Sequence, residues 1–108
     1  MTCRSAFAHL CAVGLAISVS TVVARADADD GEKLARRWCA GCHLVAPDQQ
    51  RTTTDAPAFA TIARVPEFNR EKLVFFLLEP HPKMPGMALS RSEATDLADY
   101  IARFSRAP

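Results

Sequence analysis

The chain has 108 residues, with 13 basic and 12 acidic side chains and a formal net charge of +1. So even a balance excludes the one-sided basic surface by which a domain grips nucleic acid. The length allows one domain with a modest core.

Residues 1–26 differ from the rest. Arg4 supplies a positive n-region, Leu10 to Val23 is apolar apart from a few Ser and Thr, and Ala24-Arg25-Ala26 fits an A-x-A cleavage site. This pattern predicts a secretory signal peptide cut before Asp27, with residues 27–108 as the mature domain. The apolar run of about 14 residues falls short of the ~20 that a spanning helix needs, so no stable membrane insertion is expected after cleavage. Cys11 opens that run, whereas a lipid-modified Cys would follow its end. Removing 26 of the 108 residues leaves 82, and a domain of that size usually needs a staple. Cys3 and Cys11 depart with the leader. Only Cys39 and Cys42 remain, too few for a second disulfide or a four-Cys metal site.

No alternating run reads as a strand, so the class predicted is all-α. The first helix is expected to start near Asp29 or Asp30, with Glu32 in its first turn and Leu34 and Trp38 on one face. It leads into Cys39-Ala40-Gly41-Cys42-His43. A bare Cys-x-x-Cys also serves thiol-disulfide and zinc sites, but with His directly after it the spacing is that of covalent haem attachment. Two thiols form thioethers with the haem vinyl groups and the imidazole meets the iron from the same side. One haem c is therefore the expected cofactor, and its apolar disc would fill out a small core.

The polar stretch Pro47 to Asp55 reads as a surface loop. A short helical turn follows, with Pro57 at its first position and Phe59, Ile62 and Ala63 facing inward; Pro66 closes it. A third helix over residues 69–79 carries Leu73, Phe76 and Leu77 at helical spacing and stops at Pro80. The last helix has the clearest start, a capping box of Ser90 and Glu93, followed by the stripe Leu97, Tyr100, Ile101 and Phe104. Trp38, Phe75 and Phe76 are expected in the core. Lys72 and Lys83 read as solvated, and Arg51, Arg64 and Arg70 are candidate propionate partners.

Between the last two helices runs Pro80-His81-Pro82-Lys83-Met84-Pro85-Gly86. Three prolines around one thioether lower the entropy lost when that sulfur binds a metal. Met84 is the sixth iron ligand preferred on this ground. Met87, three residues on in a less constrained stretch, is the competitor, with a place at the haem edge as its plainer role. His81, between two prolines, is the third candidate.

Taken together these motifs resemble the class I c-type cytochromes, small soluble monohaem proteins, from Gly31 to Phe104. In that family a Gly eight residues before the first haem Cys lies where the terminal helices cross, and Gly31 has this place. Leu97 and Tyr100 have the spacing of the Leu-x-x-Tyr on the other side of the crossing. Met84-Pro85, Leu89-Ser90 and Glu93 fit the passage from ligand loop to last helix. Pro57 best matches the proline whose carbonyl orients the proximal imidazole. One departure is Ala35, where the family often has an aromatic residue; here Trp38 adjoins Cys39 instead.

The resemblance implies a cytochrome c fold of three to four helices wrapped around one covalently bound haem. It further implies a monomeric periplasmic electron carrier, not an enzyme, with Cys39 and Cys42 attached to haem and His43 and Met84 on its iron. The partners implied are redox proteins: a dehydrogenase, a reductase or a terminal oxidase. Three alternatives stand beside it: a fixed haem c subunit of a larger dehydrogenase or oxidase, a peroxidase-like haem enzyme with a labile Met, and a thiol-disulfide or zinc site on Cys39 and Cys42 without haem.

Overall fold

Asp27 starts the first helix. Its carboxylate accepts a hydrogen bond from the Asp29 amide at 2.9 Å and caps α1, Ala28–Leu34. The cap thus precedes the expected Asp29 or Asp30, and both of those acids fall in the first turn, where the macrodipole favours them. The computed structural model describes residues 27–79 and 83–106; the proposed leader and His81 lie outside them.

At Ala35 the helix widens into a π-helical turn, Ala35–Cys39, closed by the Ala40 amide donating to the Ala35 carbonyl at 3.0 Å. Ala35 and Cys39 both turn inward and are buried. Trp38 turns out and is 53% exposed, with the Arg37 guanidinium 5.0 Å from its ring centroid. The expected core packing of Trp38 is therefore corrected. The extra residue in the turn gives the inward position to Cys39 instead.

Helix α2, Phe59–Ala63, is one short turn capped by Ala58. Pro57 lies just outside it rather than at its first position. Helix α3, Arg70–Leu78, starts at Asn69, whose side chain accepts from the Lys72 amide at 2.8 Å. Six consecutive apolar residues, Leu73 to Leu78, run all the way round it. Only one side can face α4, so Val74 is buried against Ala94 and Ala98 while Phe75 and Phe76 stay 59% and 51% exposed, not in the core as expected. Helix α4, Arg91–Arg103, has the complete capping box: Glu93 N donates to Ser90 Oγ at 3.2 Å and Ser90 N to Glu93 Oε2 at 2.8 Å.

Helix α4 is the hub, because α1, α2 and α3 all pack on it. Its Leu97 and Ile101 are almost fully buried, each contributing roughly 1.5–3 kcal/mol. Gly31 lets α1 cross at backbone contact. A Cβ built there would overlap the Asp96 carbonyl and stand 2.8 Å from Tyr100 Cβ. The same crossing is tied at its ends by Asp27 N donating to Asp96 Oδ1 at 2.9 Å and by Arg103 with Asp29 at 2.9 Å. Arg70 pairs with Asp99 across α3 and α4. Among the described residues there is no strand, and no helix is long and apolar enough to cross a membrane.

Candidate functional site

Cys39, Cys42 and His43 form a single turn at the end of the π-helical segment. Cys42 N and His43 N both donate to the Cys39 carbonyl, at 3.0 and 2.8 Å. The two thiols are unpaired, and burial, with a smaller contribution from Cys42, pushes the Cys39 thiol up to about 11. Among the described residues no three His, Cys, Asp or Glu side chains gather as a metal site of their own would require.

The imidazole of His43 is fixed by one bond. Its Nδ1 lies 2.6 Å from the Pro57 carbonyl, and since a carbonyl only accepts, Nδ1 carries the proton. The other nitrogen, Nε2, then presents its lone pair outward, which is the state a metal takes. The carbonyl is the one the sequence singled out. Behind the ring stands Phe59, centroids 5.6 Å apart, and behind Phe59 the ring of Tyr100 at 6.3 Å. Tyr100 donates its hydroxyl to the Val45 carbonyl at 2.7 Å, so α4 holds the segment that follows His43. Burial raises the Tyr100 pKa, which keeps that hydroxyl a donor.

The polar stretch after the motif is not a passive loop. Gln49 donates through Nε2 to the carbonyls of Ala40 at 2.8 Å, His43 at 2.9 Å and Arg51 at 3.2 Å, and its Oε1 accepts from Val45 N at 3.0 Å. Thr53 Oγ1 donates to the Gly41 carbonyl at 2.6 Å and Thr54 Oγ1 to that of Cys42 at 3.0 Å. Sequence reasoning passed over these three residues. The signal was there as a run of short donors directly after a helix end, but it has no period to detect. The start of the loop is tied back to the first helix by Arg36, which bridges Glu32 and Asp48, at 2.8 Å to each, and draws the Asp48 carboxyl below its usual range.

Met84 and Met87 both line one cavity of about 300 Å³, with Leu77 and Leu78 from the end of α3 and Pro85 and Gly86 between them. The two methionines thus share one recess, which Glu79 also lines. Arg70, one of three arginines considered for the propionates, is committed to Asp99 instead.

The donor set fits a covalently held haem: two unpaired thiols one helical turn apart, a tautomer-fixed imidazole beside them, and soft sulfur lining a separate recess. Residues 26–101 match the family described as cytochrome c oxidase, cbb3-type, subunit III. The chain is also 53% identical over 92 residues to cytochrome c-552 of Bradyrhizobium diazoefficiens, covering 85% of this chain and 88% of the relative. No solved structure gives a significant match. The attachment turn, the all-helical fold and both matches agree, and the chain belongs to the small monohaem c-type cytochromes, which carry haem c.

Proposed function

We propose that this protein is a periplasmic one-electron carrier, exported by residues 1–26, in which Cys39 and Cys42 attach the haem and His43 and Met84 hold its iron from opposite sides. The observation that carries this reading is the 2.6 Å contact from His43 Nδ1 to the Pro57 carbonyl. It sets the ring in one tautomer and one orientation, with Nε2 as the metal-facing atom.

When bound, the haem supplies a single site that gains and loses one electron. The chain's residues keep the cost of that change low. His43 is fixed at its ring by Pro57 and backed by Phe59, so it does not reorient when the charge changes. Pro85, next to Met84, restricts the chain at that ligand, and thioether ligation favours the ferrous state and raises the potential. Electron exchange with a redox partner then needs only a small transient contact. The relative's printed name, a cytochrome, supports a free carrier. The family description, an oxidase subunit, supports a second reading as a fixed subunit, and stoichiometric copurification with a partner would favour it.

A mass spectrum and a visible spectrum of the exported protein test the proposal. One haem covalently added to a chain beginning at Asp27, sharp reduced bands and a weak red band in the oxidised form are expected. A chain with free thiols overturns haem attachment; high-spin bands in the parent overturn the Met ligand and favour an enzyme.

A further inference from the structure

A helix leaves its last four carbonyls without partners, and they form the negative end of its dipole. Here the helix ends at Cys39, with Ala40 as its C-cap, and the haem-attachment turn continues directly from that end. In the turn beyond that end the carbonyls of Ala40, Gly41, Cys42 and His43 are each met by a donor from residues 49–54. Gly41 receives two bonds, from Thr53 Oγ1 at 2.6 Å and Thr53 N at 3.1 Å. Cys42 receives the Thr54 hydroxyl, and Ala40 and His43 share the Gln49 amide. Gln49 is the centre of this cap, because its two amide hydrogens serve three carbonyls while its oxygen takes the Val45 amide two residues beyond His43.

We propose that Gln49, helped by Thr53 and Thr54, is a positioning residue for the axial imidazole and sets the electrostatics of the proximal side of the iron. The proposal rests on His43 being the iron's ligand. The ring of His43 is held by Pro57 and its backbone by Gln49, so the imidazole is fixed from both ends. A carbonyl that accepts a hydrogen bond from an N–H or O–H carries less negative potential toward its surroundings. Four capped carbonyls beside a centre that gains positive charge on oxidation therefore favour the ferrous state. Uncapping them favours the ferric state.

The test uses the holoprotein. Gln49→Leu keeps the side-chain bulk and removes the amide; Thr54→Val removes the hydroxyl bond to Cys42, and Thr54→Ser restores it. Asn69→Ala is the control, since it removes the cap of α3 and destabilises the fold away from the site. Reduction potentials and the paramagnetically shifted haem methyl resonances of the ferric protein, which report axial-ligand orientation, are measured well below each unfolding midpoint. Gln49→Leu is expected to lower the potential by a three- to tenfold shift in the one-electron equilibrium, tenfold being about 59 mV, and to change the methyl pattern. Thr54→Val shifts the potential in the same direction by less, and Thr54→Ser returns it. If Gln49→Leu does not accumulate as holoprotein, the Thr54 pair decides. Equal potentials and methyl patterns across Thr54→Val, Gln49→Leu and Asn69→Ala would overturn the proposal and leave the cap as a stabilising element only. Failure of the underlying ligand reading looks different: His43→Gly would then keep the parent's axial ligation.

Discussion

The hydroxyl of Tyr100 and the carbonyl of Val45 meet at 2.7 Å across 55 residues of sequence, joining the last helix to the chain just past the haem-attachment turn. Both groups are buried, so neither has water to fall back on. Tyr100→Phe keeps the ring and its edge-to-face packing on Phe104 but strands the carbonyl. The expected loss is about 1–3 kcal/mol, read as a lower denaturant midpoint with an unchanged slope. An unchanged midpoint would mean that the carbonyl has found another donor.

Gly31 is constrained by backbone and not by a side chain that could swing away. A methyl there would run into the Asp96 carbonyl, so Gly31→Val must push α1 and α4 apart. Overpacking of this kind costs about 1–3 kcal/mol or more, although Gly is otherwise a poor helix residue and its replacement would help at an open position. Urea unfolding of Gly31→Val beside the parent checks the sign. A variant as stable as the parent would show that the crossing has slack.

The two methionines of the cavity are separated by single substitutions. Met84→Ala is expected to abolish the red Met-iron band, lower the potential and admit peroxide, while Met87→Ala keeps the band with a small change in potential. The reverse pattern would move the ligand three residues along and leave the carrier function standing.

The capping box predicts an acid limb. Hydrogen bonds from Ser90, the backbone amide first, hold the Glu93 carboxyl below its ordinary 4.5. A depressed folded-state value contributes stability that is fully present above the unfolded pKa and is lost as the pH falls through the folded one. The parent should therefore lose stability relative to Glu93→Gln below about pH 4.5, since Gln keeps an acceptor for Ser90 N without the charge. Unfolding free energies of the two proteins from pH 7 to pH 3 give the difference directly. A difference that does not change with pH would assign the cap's effect to geometry alone.

Helix α3 was legible from apolar spacing and a terminal proline and α4 from its capping box, whereas the Gly31 crossing and the Pro57 carbonyl were legible only through the resemblance to the class I c-type cytochromes. Trp38 was not, because a π-helical turn adds one residue and moves everything after it to another face, and nothing in Ala35 to Cys39 announces the change. Phe75 and Phe76 were misplaced for a different reason. In a helix apolar all round, periodicity cannot say which side faces its neighbour; the small Ala94 and Ala98 of α4 decide it, and they are distant in sequence. Gln49 escaped notice because its four bonds go to backbone atoms, which every sequence has alike.

The bonds from Asp27 to Asp96 and from Asp29 to Arg103 bring the two ends of the described domain side by side on the face where α1 crosses α4. A fold whose ends adjoin can be spliced into another chain, or opened elsewhere and rejoined by a short linker, without rerouting its interior. Adjoining ends of this kind suit insertion at one place, with the attachment turn undisturbed.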